Sequence, residues 1–286
     1  MINEKKFVSN YNLSETQEKT LLDIRHRIDE IDIQLLKLIE KRTLVIKEAC
    51  VLKNTFYGKR DCFITSAREA DMIKILVSQA NTSFPKETLI NIWRKIITAS
   101  VIVEANLELV IYKTKAFYLS YLDALIYFDT AAKTHFLNNE KNILKFLNSQ
   151  QNSVAVLPIK SSSKKPWWYL LATSFTQLKV FAKLPFYNKP LIKGHLGSVA
   201  ISLIRPEKSL SDYSCFVVFF NDVSEQETFN KLLKEHFISD YQIMDSSSET
   251  SRIVQFFLIK NYYLHLDITN NTCINIGSFA EEFIIS

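Results

Sequence analysis

The sequence predicts a multidomain protein of class α + α/β, in which three N-terminal helices are followed by an α/β appendage. Apolar residues recur with a helical period through the first hundred residues, whereas short apolar runs alternate with helical stretches after residue 106. Residues 213–260 then follow a strand, helix, strand, strand order. We therefore expect a helical domain at 1–106, an α/β domain at 107–195 and a β-α-β-β unit at 196–286.

The helical domain begins with one long helix, predicted over residues 15–54. Its apolar side chains recur every seven residues, and this heptad period is typical of helices that pair along an apolar seam. The recurring residues are Ile24, Ile31, Leu38, Val45 and Leu52.

Two shorter helices complete the helical domain. The second is predicted over residues 66–80, and the third runs from Pro85 to about Asn106, since proline is well tolerated in the first turn of a helix. The inner face of the third helix is predicted to carry Leu89, Trp93, Ile96 and Ile97.

The appendage carries the strand signals. Apolar runs with β-branched and aromatic residues predict its strands. The segment between the first two of these strands is predicted to be helical in part, and a further helix is predicted over 224–236. The predicted strands lie at 107–112, 153–159, 178–186, 215–220, 241–244 and 253–259, with a last short strand near residue 286.

Composition excludes several functional classes. Only four glycines occur, so glycine-rich phosphate loops are not expected. The four cysteines are far apart and the five histidines lack ligand spacing, so we expect neither a metal site nor a redox motif. The net charge of +5 is spread along the chain, which argues against nucleic-acid binding.

No membrane association is expected. No apolar run reaches the roughly 18 residues that span a bilayer, and the start, MINEKKFVSN, lacks the apolar core of a signal peptide. These features predict a cytoplasmic protein.

Arg42 occupies a core position of the otherwise apolar heptad seam, following Ile28 and Leu35 in the same register. An unpaired guanidinium is very costly to bury. Arg42 therefore either reaches the surface along its aliphatic stem or faces an anion inside the helical domain. Both interpretations stay open from this residue alone.

Other polar residues are predicted to accompany Arg42. Lys53 follows it by eleven residues, close to three helical turns, so both side chains point to the same side of the first helix. An Arg-Glu pair begins the second helix, and two polar residues four apart continue the inner stripe of the third. Each has an alternative interpretation. Lys53 and Arg68 could be ordinary solvated charges, and Glu69 could cap its helix. Ser100 could bond to a carbonyl of its own helix, and Glu104 could lie at the frayed helix end. The candidates are Lys53, Arg68, Glu69, Ser100 and Glu104.

Three segments of the helical domain share their pattern with a known family. They read LLDIRHRIDEIDIQLLKLIEKRTLVIKEACVLK, SAREADMIKIL and LINIWRKIITASVIVEANL. Residues 20–107 thereby resemble the all-helical class of chorismate mutase. The resemblance implies an intertwined all-α homodimer that isomerises chorismate to prephenate without a cofactor, a step of the shikimate pathway toward phenylalanine and tyrosine.

The resemblance also implies roles for individual residues. Arg42 and Arg25 would hold the two carboxylates of chorismate, with help from Arg68. Lys53 and Glu104 would donate hydrogen bonds to the ether oxygen, so that Lys53, Glu104 and Arg42 form the catalytic set. Glu69 would bind the ring hydroxyl, and Ser100 would complete the pocket.

The position of Arg25 implies a shared site. Arg25 precedes Arg42 by 17 residues, about 25 Å along a helix, which is farther than one chorismate reaches. Arg25 is therefore expected to enter the pocket of the partner chain across an antiparallel helix pairing.

The appendage carries two weaker resemblances. Residues 154–163, VAVLPIKSSS, resemble the strand and turn of prephenate dehydratases, although Lys160 and Ser161 stand where those enzymes carry Glu and Asn. The Thr-Arg-Phe motif of those enzymes is absent, so no dehydratase activity is expected. Residues 213–260 weakly resemble an ACT regulatory domain without its Pro-Gly turn.

The sequence thus predicts a cytoplasmic, homodimeric chorismate mutase. One alternative is a bifunctional mutase–dehydratase, and another is a non-catalytic, mutase-like dimerisation module that carries a small-molecule sensor. The ligand of residues 107–286, any feedback by phenylalanine or tyrosine and the pH optimum set by Glu104 do not follow from the sequence.

Overall fold

A computed structural model describes the chain over most of its length, and its element order confirms the predicted α + α/β class. The chain divides into two compact units, residues 1–49 and 50–286. The described residues are 14–57, 64, 66–80, 83–113, 117–150, 152–186, 195–204, 212–236, 241–249, 252–260 and 273–283.

In the first unit the described residues lie almost entirely in one helix, α1, which spans Glu15–Tyr57 and continues past the unit boundary. A capping box begins it. The Ser14 backbone N–H donates to Gln17 Oε1 at 2.9 Å, and the Gln17 N–H donates back to Ser14 Oγ at 3.4 Å. The long heptad helix predicted from the sequence is therefore confirmed.

The second unit contains six further described helices. The αL conformation of Asn106 ends the helix that precedes the first strand. The helices are α2 (Ser66–Gln79), α3 (Lys86–Ala105), α4 (Phe117–Phe128), α5 (Glu140–Ser149), α6 (Trp167–Thr173) and α7 (Val223–His236).

The described strands of this unit form one sheet of nine strands. They are β1 (Glu108–Tyr112), β2 (Lys133–Leu137), β3 (Ser153–Pro158), β4 (Lys179–Leu184), β5 (Ser198–Ser202), β6 (Asp212–Phe220), β7 (Tyr241–Glu249), β8 (Arg252–Lys260) and β9 (Cys273–Ala280). Their order across the sheet is β2-β1-β3-β5-β4-β9-β6-β8-β7. Because β4 and β9 are neighbours, strands from both sides of residue 195 share the sheet. The domain boundaries after residues 106 and 195 remain predictions.

Helices cover both faces of the sheet. Alternate residues of β1 point to opposite faces, as a strand requires: Val110 and Tyr112 share a core with α5 and α6, whereas Leu109 and Ile111 share a core with α2, α3 and α4. A smaller core lies between α7 and strands β6 and β8. The segments that connect β1 to α4 and β3 to α6 therefore lead to opposite faces.

The buried face of α3 differs by one residue from the predicted one. Leu89, Trp93 and Ile96 are only half-buried, whereas Ile90, Arg94 and Ile97 are buried. Both stripes have helical spacing, and packing against α2 and α4 decides which of them is covered.

Among the described helices, none combines the length and apolar character needed to cross a lipid bilayer. The predicted cytoplasmic location stays a prediction.

Candidate active site

Helix α1 carries the three predicted site residues of the N-terminal region. Arg25 is exposed and Arg42 is half-buried. Lys53 lies in the same helix, and its side chain lies outside the described part of the structure. Since α1 is continuous from Glu15 to Tyr57, Arg25 and Arg42 lie about 25 Å apart along its axis.

Helices α2 and α3 carry the other four predicted residues. Arg68 is exposed, whereas Glu69 is buried. Ser100 is buried and Glu104 is half-buried, and their spacing of four residues places them on one side of α3. The Ser100 hydroxyl donates to the carbonyl oxygen of Ile96 at 2.8 Å, which is the self-bonded state considered for it from the sequence.

Glu69 forms a buried ion pair with Arg94. The distance from Arg94 Nη1 to Glu69 Oε2 is 3.0 Å, and the two side chains are only 4% and 9% exposed. Arg94 Cζ also lies 3.6 Å from the centroid of the Tyr127 ring in α4, within cation–π distance. The carboxylate of α2 is thus fixed by a cation of α3, which in turn packs on α4.

Tyr127 packs against this ion pair with an uncharged ring. Burial is the main reason that the pKa of its hydroxyl is raised to about 12, so the ring stays uncharged at physiological pH. Because the pair is shielded from water, removal of either charged group is expected to destabilise the fold strongly.

Arg94 was not singled out from the sequence, although a signal was present. It interrupts the apolar stripe of Ile90, Ile97 and Val101, just as Arg42 interrupts the heptads of α1. The same reasoning would have found it if the buried face of α3 had been placed correctly.

The described residues offer no site for a metal ion, since their His, Cys, Asp and Glu side chains form no group of three or more with suitable positions. The candidate residues include guanidinium and ammonium groups, which can recognise an anion, and side-chain oxygens, which can accept or donate hydrogen bonds.

Comparison with protein families supports the resemblance inferred from the sequence. Residues 24–105 match the family model of chorismate mutase type II. No curated protein sequence matches the chain.

Several solved structures are similar to the chain at low sequence identity. Prephenate dehydratase from Streptococcus mutans is 11% identical with a TM-score of 0.42, and the match covers 63% of this chain and all of that one. GqqA, described as a quorum-quenching acylase, is 9% identical with a TM-score of 0.44, covering 61% and 95%. Prephenate dehydratase from Arthrobacter aurescens in complex with L-Phe is 9% identical with a TM-score of 0.42, covering 63% and 93%.

Proposed function

We propose that this protein is a chorismate mutase, an isomerase that converts chorismate to prephenate in aromatic amino acid biosynthesis. The match to the chorismate mutase type II family carries the proposal, because residues 24–105 include every candidate site residue. The candidates are Arg25, Arg42, Lys53, Arg68, Glu69, Ser100 and Glu104.

The reaction is an intramolecular rearrangement, so the protein has to orient the substrate and stabilise developing charge. Arg42 and Arg25 hold the two carboxylates, since a guanidinium matches a carboxylate with two parallel hydrogen bonds. Lys53 and Glu104 donate hydrogen bonds to the ether oxygen. An ionised carboxylate can only accept, so Glu104 has to be protonated during turnover.

The buried ion pair suits the proposed role of Glu69, which is to accept a hydrogen bond from the ring hydroxyl. A carboxylate has several acceptor positions, so one oxygen can face Arg94 while the group also accepts from substrate. The contact with Arg94 fixes the orientation of Glu69, and Arg94 is therefore a candidate positioning residue.

We further propose a homodimer with shared sites. The seven apolar side chains of the α1 seam are between 43% and 62% exposed in the single chain, and a contiguous apolar surface of this kind marks an interaction site. An antiparallel pairing along this seam brings Arg25 of one protomer toward Arg42 of its partner. The seam comprises Ile24, Ile28, Ile31, Leu35, Leu38, Val45 and Leu52.

The primary test is to incubate the purified full chain with chorismate and follow the loss of chorismate absorbance. We expect prephenate as the enzymatic product. No phenylpyruvate should form above the acid-catalysed background, because the chain lacks the Thr-Arg-Phe motif. Chorismate consumption at the rate without protein would reject the mutase proposal, and enzymatic phenylpyruvate would instead favour the bifunctional alternative.

A complementation experiment tests the shared site. Arg25→Ala and Arg42→Ala homodimers should each be inactive, because each lacks one carboxylate contact in both pockets. Mixed dimers keep one complete pocket, so mixing the two variants should restore part of the activity, up to about a quarter of the wild-type value for random exchange of chains. Subunit exchange is verified with two affinity tags. Verified heterodimers without activity would show that Arg25 and Arg42 do not serve one pocket from different chains.

A further inference from the structure

A cavity of about 270 Å³ opens in the α/β region, away from the proposed mutase residues. It lies at the carboxyl ends of the neighbouring parallel strands β1 and β3, whose connections lead to opposite faces of the sheet. Open α/β sheets bind their ligands in crevices at this kind of position. Its described lining residues are Tyr112, Leu119, Ser120, Pro158, Ile159, Lys160, Ser162, His195, Leu196 and Gly197.

One wall of the cavity is held by a buried polar chain. His195 Nε2 lies 2.7 Å from Asp123 Oδ2, and the Asp123 side chain is only 1% exposed. Ser198 Oγ lies 2.7 Å from the same carboxylate oxygen and 3.0 Å from Ser120 Oγ. Because Ser198 has one proton to donate to the carboxylate, the Ser120 hydroxyl can donate to Ser198. The two lining side chains, His195 and Ser120, are therefore fixed by a single buried carboxylate.

The opposite wall is held at Ser161. Its backbone N–H donates to Asp245 Oδ2 at 3.1 Å, and its hydroxyl donates to Glu140 Oε1 at 2.7 Å. Asp245 also accepts from the indole N–H of Trp168 at 3.0 Å. The flanking residues Lys160 and Ser162 thus stand at the cavity on an anchored turn, which lowers the entropic cost of binding a ligand.

Gly197 closes the remaining side. Its φ of +90° is unfavourable for other residues, and a Cβ atom there would lie 2.2 Å from the carbonyl oxygen of Leu184. Its own carbonyl accepts the backbone N–H of Ile159 at 3.2 Å. The backbone therefore approaches closely here, and the rim beside His195 is fixed.

The polar lining is suited to an anion. None of the described lining residues is acidic, and Lys160, Ser120, Ser162 and the imidazole of His195 can all donate hydrogen bonds. Asp123 lies behind His195, which compensates its charge, so Lys160 sets the net charge of the lining. Ile159, Leu119 and Leu196 supply apolar surface beside these donors.

We propose that this cavity binds a small organic monocarboxylate with an apolar body, its carboxylate held by Lys160 and His195. The assignment depends on the positions at which this chain departs from the dehydratase pattern, since Lys160 places a positive charge where those enzymes carry a glutamate. The cavity contains none of the proposed mutase residues, so this binding is independent of mutase activity.

The test uses 3-phenylpropanoate and its uncharged amide as probes of the full chain, with binding followed by ligand-observed NMR titration. For a ligand of this size we expect a dissociation constant of about 1 mM for the acid. The amide should bind at least about tenfold more weakly, because it lacks the charge that Lys160 recognises. Lys160→Met and His195→Gln should each weaken binding of the acid about tenfold.

Lys164→Met is the matched control, since Lys164 is an exposed lysine four residues from Lys160 that does not line the cavity. It should leave the dissociation constant unchanged. Lys160 is exposed, so its substitution does not endanger folding, and a thermal melt checks the fold of the His195 variant. The proposal fails if no saturable binding of the acid occurs up to about 10 mM. It also fails if acid and amide bind equally, or if Lys160→Met binds as wild type does.

Discussion

Replacement of Arg42 by alanine is expected to lower kcat/KM for chorismate by about a hundredfold or more, which corresponds to about 3 kcal/mol of lost transition-state binding. The physical reason is the loss of a bidentate contact between a guanidinium and a substrate carboxylate. No neighbouring side chain on α1 can replace this contact from the same position. Steady-state kinetics with chorismate, measured on protein whose helical content and molecular mass in solution are unchanged, provide the comparison.

Lys41→Ala is the matched control for this experiment. Lys41 is an exposed cation next to Arg42 on the same helix, so its removal changes the net charge equally without touching the predicted pocket. We expect kinetics close to wild type for it. Near-normal kcat/KM in Arg42→Ala would remove Arg42 from the site. An equal loss in both variants would point to long-range attraction of the substrate instead of direct contact.

The elements that the sequence predicted well are those with a strong period or a long apolar run. The heptads of α1 and the runs at β3, β6 and β8 lie where they were expected. Three short elements were missed. Edge strand β2 lacks an alternating pattern of burial, β5 is a short, fully buried strand, and α6 has only seven residues. In each case the tertiary environment fixes the element more than its own sequence does.

The candidate site was predictable only in part for a related reason. Helix α3 carries apolar residues on more than one side, so its periodicity alone does not identify the face that is covered. Because the predicted inner stripe of α3 lies one residue away from the buried one, neither Arg94 nor its ion pair with Glu69 was predicted. The hydrogen bonds among Ser120, Asp123, His195 and Ser198 were not predictable for a different reason, because they join residues some 75 positions apart in the sequence.

The buried pair also leads to a large expected effect on stability. Arg94→Met keeps the apolar stem of the side chain but removes the guanidinium that pairs with the buried Glu69 carboxylate. Breaking a buried ion pair on one side costs about 3–5 kcal/mol, and the contact with the Tyr127 ring is lost as well. We therefore expect a marked decrease in the free energy of unfolding, measured by urea denaturation followed by far-UV circular dichroism.

Two further variants separate this effect from a general loss of packing. Glu69→Gln combined with Arg94→Met removes both charges of the pair. The double variant should therefore be more stable than Arg94→Met alone, because the carboxylate that lost its Arg94 partner is no longer charged. Arg68→Met removes the neighbouring exposed arginine and should change the free energy of unfolding by no more than about 0.5 kcal/mol. If the second substitution destabilises the Arg94→Met variant further, the charge of Glu69 is not the source of the loss, and Arg94 stabilises the fold through its packing on Tyr127 instead.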